Sequence, residues 1–380
     1  MIIHSKMPDV GTSIFTVMTA LSQQHQAVNL AQGFPNFDCS DELKDLVRHY
    51  MTNGFNQYAP MAGVPALRKV LSNKIQMLYG KIIYSENEIT ITAGGTQALF
   101  TAIAALVRPQ DEVIIIEPAY DSYAPSIQAM GGKVVPYRME APNYEIDWVL
   151  FEKRITPQTR MIIINTPHNP TGKTFKDADF QALIHCVKNT NIVILSDEVY
   201  EHLVYDGAKP LSLMDYPALW LRGLAVYSFG KTFHATGWKM GYCVAPESLM
   251  REFRKFHQFN VFSVNAPIQY ALADFLENPD NYNQLSSFYQ QKRDFFIQKM
   301  AQTRFKPLPC ASTYFQLYDY AHLSDESDMD FTRRLTIDYG VSAIPVSAFY
   351  TGGSDARVIR FCFAKTEDVL EKACALLEKV

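Results

Sequence analysis

The sequence predicts an α/β protein built on a mainly parallel sheet flanked by helices, with a smaller α+β domain attached. Three observations predict it. Short runs rich in Ile and Val recur at 88–92, 112–116, 133–137, 160–164, 192–195, 224–228 and 240–244. Several are apolar without alternation, which is how a strand buried on both faces reads. Amphipathic helical patterns at 97–107, 120–130 and 176–188 fall between them, and strands alternating with helices imply a parallel sheet under helical cover. After about residue 247 the pattern changes to long helices at 248–259, 266–276 and 281–303. Strand-like 313–320, a helix at 328–338, strand-like 358–362 and a helix from about 367 follow. We therefore divide the chain into a large domain, 41–275, and a small one, 276–380, with residues 1–40 packing on the small domain.

Bulk properties narrow the function. With 380 residues and 48% apolar content, a sizeable core can form. A net charge of −4 lacks the basic footprint of a nucleic-acid binder. The six cysteines are scattered, with no Cys-x-x-Cys, as in a protein of reduced thiols. The nine histidines show no metal-ligand spacing, so no metal is expected. Met1-Ile2-Ile3-His4-Ser5-Lys6 does not read as a secretory leader. No apolar run approaches the roughly 20 residues that span a bilayer. A cytoplasmic enzyme without a membrane partner is the expectation.

Ligands of open α/β sheets sit beyond the carboxyl ends of the strands. There the sequence places Ala93-Gly94-Gly95-Thr96, Glu117-Pro118-Ala119-Tyr120, Asn165-Thr166-Pro167-His168-Asn169-Pro170-Thr171-Gly172, Ser196-Asp197-Glu198 and Phe229-Gly230-Lys231-Thr232. Singly, each has an ordinary reading. Gly94-Gly95-Thr96 serves as a tight turn or, opening a helix, as an anion cradle. Asp197 serves as a helix cap or, if buried, needs a cation such as a pyridinium nitrogen. Asn169 can hold a loop and Tyr120 can be core. Gly230-Lys231-Thr232 suggests a phosphate loop, but that motif needs a glycine at 225, where Ala225 stands. A lysine among Phe229, Gly230 and Trp238 is instead desolvated, which favours the neutral amine that carbonyl chemistry uses.

Together these segments resemble the class I/II, fold-type-I aminotransferases, which depend on pyridoxal phosphate. Ser228-Phe229-Gly230-Lys231-Thr232-Phe233 with Thr236-Gly237-Trp238-Lys239 is similar to the family's Schiff-base segment. Asn165 to Gly172 resembles its Asn-Pro-x-Gly turn, Ser196-Asp197-Glu198-Val199-Tyr200 its pyridine-nitrogen segment, and Val358-Ile359-Arg360-Phe361-Cys362-Phe363 its carboxylate-binding segment. Asn29-Leu30-Ala31-Gln32-Gly33-Phe34-Pro35 resembles its N-terminal segment. Within the family, Asn56-Gln57-Tyr58-Ala59-Pro60 and Phe262-Ser263-Val264-Asn265 look most like the methionine aminotransferases and the kynurenine aminotransferase/glutamine transaminase K group.

The resemblance implies a role for each residue. Lys231 carries the cofactor and moves the Cα proton. Asp197 pairs with the ring nitrogen, Asn169 and Tyr200 hold its phenolic oxygen, and Tyr120 stacks on its face. Gly95, Thr96, Ser228 and Lys239 take the phosphate, joined by Tyr58 from the other subunit of a homodimer whose active site lies at the interface. Arg360 and the Gly33 backbone take the substrate carboxylate, while Phe15 and Phe34 line the side-chain pocket. Without an obvious second arginine, neutral donors are expected: methionine, aromatic amino acids or glutamine, with a 2-oxo acid as acceptor. A cysteine-conjugate C–S lyase shares the fold and the first carbanion, and remains the alternative. A non-catalytic pyridoxal-phosphate binder is more distant, because Lys231, Asp197, Asn169 and Arg360 are all present.

Overall fold

In the computed structural model, which describes residues 4–8 and 10–380, seven strands form one sheet. In chain order they are β1 (Ile89–Thr92), β2 (Glu112–Glu117), β3 (Lys133–Arg138), β4 (Thr159–Asn165), β5 (Val193–Asp197), β6 (Gly223–Ser228) and β7 (Gly241–Val244). Their spatial order is β1-β7-β6-β5-β4-β2-β3. The pairings from β3 across to β6 are parallel, and β7 runs antiparallel to β6 and β1. The mainly parallel sheet read from the sequence is therefore present.

The apolar runs have a direct cause. In β2, Ile114 and Ile116 join the core on one face while Val113 and Ile115 join the core on the other. In β4, Ile162 and Ile164 face one way and Met161 and Ile163 the other. Each such side chain contributes about 1.5–3 kcal/mol by leaving water, so neither face tolerates alternation with polar residues.

Register sets the chemistry of the sheet edge. Asn165 ends β4 directly beside Asp197, which ends β5. Ser228, at the end of β6, pairs with Gly241 of β7, and Thr92 of β1 pairs with the same glycine.

Some elements differ from the sequence expectation. The helix placed at 120–130 is Tyr123–Ala129, leaving Tyr120 in the preceding turn. Pro125 explains the later start, because proline fits a helix only in its first turn. The pattern at 281–303 is two helices, Asp280–Asn283 and Leu285–Met300. Ile14–Gln24, Asp41–Thr52 and Pro65–Tyr79 are further helices, to which the sequence reading assigns no bounds. Asp41–Thr52 packs Leu43, Leu46, Val47 and Tyr50 on the core, the i, i+3, i+4, i+7 stripe of an amphipathic helix.

A second, four-stranded antiparallel sheet holds Ile344–Pro345, Val358–Cys362, Phe315–Asp319 and Lys306–Pro307 in that order. Arg360 sits on its second strand, between Ile344 and Leu317. The N-terminal segment joins this region. Val28–Asn29 pairs with Val341–Ser342, and the Cys362 N–H donates to the Leu30 carbonyl. Among the described residues no helix is long and apolar enough to cross a membrane.

Candidate active site

The ends of β4, β5 and β6 and the turn after β1 open onto one cleft, roofed by residues 32–34 and by Arg360; it encloses about 970 Å³ including its mouth. At its floor Gly94 caps the helix Gly95–Leu106 with φ +82°, leaving the first-turn N–H groups and the positive dipole end at the cleft. Lys239, itself left-handed at φ +54°, brings its Nζ to 3.5 Å from where a Gly94 Cβ would stand. A Cβ on Gly95 would meet Val199 at 3.0 Å. Gly241 was missed by sequence reasoning, yet a Cβ there would lie 2.6 Å from the Tyr227 carbonyl oxygen and 2.9 Å from the Gly94 carbonyl carbon. Its bareness is what lets the turn seat against β7. Thr96 Oγ1 and Tyr120 Oη lie 3.3 Å apart above it.

Asp197 is buried. Its carboxylate accepts from Tyr123 Oη at 2.6 Å and from the Val199 N–H at 3.3 Å, both neutral donors. Burial pushes its pKa up to about 6, against the pull of Tyr123. Asn165 locks the neighbourhood: its Nδ2 donates to the Asp197 carbonyl at 2.8 Å, and its Oδ1 accepts the Asn169 N–H at 2.8 Å.

Lys231 lies on the one-turn helix Phe229–Thr232, directly after β6. Its Nζ donates to the Gly33 carbonyl at 2.9 Å and sits 5.9 Å from the ring centres of Tyr200 and Tyr314. Burial pushes its amine down to about 8. Tyr200 is buried edge-on against Tyr314 and Phe315, and burial keeps its phenol protonated well above its ordinary range. Ser228 lines the same wall.

Arg360 is fully buried. One guanidinium nitrogen donates to Asn169 Oδ1 at 2.7 Å, another to the Ala31 carbonyl at 2.9 Å, and its central carbon lies 3.9 Å from the centre of the Phe315 ring. Its Nε has no partner among the described residues. Burial pushes its pKa down to about 10, still far above neutrality. Phe15 lies 5.4 Å from the same guanidinium, and Phe34 lines the cleft half-exposed.

Every residue singled out from the sequence therefore reaches the cleft except Tyr58, which is 83% exposed and packs edge-on against Phe262. Sequence reasoning missed Tyr123, Tyr314 and Phe315, and placed Asn165 at a strand end without giving it a role of its own. Tyr123 had a faint signal, since it follows Tyr120 by one helical turn. Tyr314 and Phe315 had none, because they come from the other sheet.

The donor set fits pyridoxal phosphate. A phosphate needs backbone N–H groups and a cation, which the 94–96 turn and Lys239 supply. A pyridinium needs a buried anion without a competing cation, and Asp197 is bonded only by neutral donors. A carbonyl carbon needs a neutral amine, and burial brings the Lys231 amine down to about 8, so a substantial share is unprotonated at that pH.

Comparison with known proteins agrees. The family model for class I and II aminotransferases matches residues 25–377. The chain is 47% identical to the methionine aminotransferase of Escherichia coli over 99% of this chain and 98% of that one. It is 33% identical to the kynurenine–oxoglutarate transaminase of Dictyostelium discoideum over 96% and 93%. A crystal structure from Escherichia coli, reported with a methionine aminotransferase function, superposes with a TM-score of 0.98 at 46% identity, covering both chains completely. The chain belongs to the class I and II aminotransferases, pyridoxal-phosphate-dependent enzymes that move an amino group from an amino acid to a 2-oxo acid.

Proposed function

We propose that this enzyme takes neutral donors, namely methionine, aromatic amino acids or glutamine. The observation that carries the reading is the wall around Arg360. It is built from Phe15, Phe34 and Phe315, and Arg360 is the sole arginine lining the cleft among the described residues. A donor with a side-chain carboxylate finds no second fork there, and burying it unpaired is costly. The similarity to a methionine aminotransferase and a kynurenine transaminase supports the same choice.

Arg360 binds the α-carboxylate. Its planar fork suits a carboxylate, and Asn169 and Ala31 fix its orientation before substrate arrives. The Gly33 backbone adds a contact to that carboxylate. Bound pyridoxal phosphate supplies an electron sink for the charge that develops at Cα. Asp197 would be the counter-ion of the ring nitrogen, Asn169 and Tyr200 would hold the phenolic oxygen, and Tyr120 would pack against the ring. Gly95, Thr96, Ser228 and Lys239 would hold the phosphate. Lys231 would anchor the cofactor at rest. Once the donor displaces it, its neutral amine takes the Cα proton, a task suited to a base titrating near 8. With water supplying the carbonyl oxygen and the bound cofactor retaining the amino group, the donor would leave as an oxo acid, and a second oxo acid would take up that amino group by the reverse path, giving ping-pong kinetics.

The exposed Tyr58 fits a homodimer in which it would reach the phosphate of a second copy, and we assign the enzyme to the cytoplasm. Sedimentation of the purified protein tests the first and cell fractionation the second.

A donor panel followed by absorbance tests the substrate reading. Methionine and phenylalanine should convert the bound cofactor to its amino form far more efficiently than aspartate; the reverse order overturns the reading. Lys231→Ala should still bind the cofactor, lose the absorbance of covalent attachment and lose transamination.

A further inference from the structure

Residues 31–36 cross the mouth of the cleft; Lys231 and Tyr314 hold the Gly33 carbonyl, and further ties come from one stretch of chain, 360–366. Arg360 donates to the Ala31 carbonyl. Five residues on, Lys365 Nζ donates to the Phe34 carbonyl at 2.7 Å and stands 5.2 Å from the centre of the Phe34 ring. The Thr366 N–H then donates to Asn36 Oδ1 at 2.8 Å, and Asn36 Nδ2 returns a bond to Thr366 Oγ1 at 3.1 Å. The Lys365 backbone is itself held, its carbonyl accepting from Lys292 Nζ at 3.0 Å.

Lys365 is only 4% exposed, and the partner of its ammonium is a neutral carbonyl, not a carboxylate. Burying a charge without a counter-ion is expensive, and a long apolar side chain of the same reach does as well or better for stability. The group is therefore poorly explained as a device that holds the fold. Its effect is local: it fixes the backbone and the ring face of Phe34, which is otherwise half-exposed to solvent and forms one wall of the pocket.

We infer that Lys365 is a specificity-determining residue, a positioning group that holds Phe34 against the side chain of bulky apolar donors. It touches neither the carboxylate fork nor the cofactor end of the cleft. Removing it should weaken binding of donors whose side chains lean on Phe34 and leave the chemistry alone, the pattern in which KM rises at constant kcat. The inference rests on the neutral-donor reading above.

The test uses the cofactor-loaded enzyme with methionine, phenylalanine and alanine as donors, the last presenting only a methyl group to the pocket. Lys365→Met keeps the stem length and removes the charge, and its melting temperature reports whether it folds. In that variant KM for methionine and phenylalanine should rise about tenfold, with kcat, KM for alanine and cofactor affinity near wild type. Lys365→Arg, which can still donate to the Phe34 carbonyl, should recover most of the loss. Equal change for alanine and phenylalanine, or no change for either, overturns the inference. The wild-type panel separates the two layers. If the wild type does not favour bulky donors over alanine, the substrate reading fails and takes this inference with it. If it does and the variant keeps the same ratios, the inference alone fails.

Discussion

The two ends of the cleft are built differently. At the cofactor end, positions follow from strand register: Asn165 stands beside Asp197, and Ser228 and Thr92 oppose Gly241. At the substrate end, a loop is strung on side chains: Arg360 to Ala31, Lys231 and Tyr314 to Gly33, Lys365 to Phe34. A sheet edge resists displacement because every neighbouring strand must move with it, whereas a tether of single hydrogen bonds yields one bond at a time, at about 1–3 kcal/mol each. The difference matches the work. One cofactor stays through both half-reactions, while two different substrates must enter and leave.

Asp197→Asn should have the largest effect and stay confined to the cofactor end. If this buried charge is the partner of the ring nitrogen, losing it should lower kcat about a thousandfold. The same change should stabilise the cofactor-free protein. Burial raises the folded pKa from 3.8 to about 6, so between those values the folded carboxyl keeps a proton that the unfolded chain has released. Stability contributed by this group therefore falls as pH rises through that window, and the full cost, up to about 3 kcal/mol, is present at pH 8. Denaturant melts of stripped wild type and variant should differ most at pH 8, less at pH 5 and hardly at all below pH 4. A variant that is less stable at pH 8 would show that Asp197 is satisfied without cofactor.

Arg360→Lys probes the other end. One ammonium cannot hold Asn169, Ala31 and a carboxylate in the planar arrangement of a guanidinium. KM should rise about a hundredfold for every donor, alanine included, while the absorbance of the bound cofactor is unchanged. Loss of cofactor from this variant would break the comparison, since the two ends would then not be separable.

The same contrast explains what was legible in the sequence. The cofactor end was readable because strand ends are local. A continuous apolar run such as 160–164 announces its own terminus, and Asn165 and Asp197 follow such runs directly. Arg360 and Gly33 were legible only through resemblance, because spacing alone says nothing of two segments more than 300 residues apart. Tyr314, Phe315 and Lys365 escaped altogether: each acts across a tertiary contact with residues 31–34 or the far sheet. Gly241 escaped for a different reason. A glycine inside a strand reads as a weakness, and only the backbone 2.6 Å from its missing Cβ reveals its use.

Tyr123→Phe should have the smallest effect, and it tests whether the rigid end is also electrically tuned. The hydroxyl gives Asp197 its shortest hydrogen bond, 2.6 Å, and opposes the upward push of burial. Without it the carboxylate becomes more basic, and the proton it shares with the ring nitrogen shifts from the ring toward Asp197. The ring then withdraws electrons less well, and kcat should fall about tenfold, the worth of one hydrogen bond to a charged group. A cofactor labelled with ¹⁵N at the ring nitrogen reports the shift directly: its resonance should move toward the unprotonated position in the variant. KM should stay within about twofold, because nothing at Arg360 or Phe34 contacts Tyr123. An unmoved nitrogen signal with lowered kcat would reduce Tyr123 to a packing residue. A raised KM would show that strain at the sheet edge passes to the tethered loop, and the separation of the two ends would have to be abandoned.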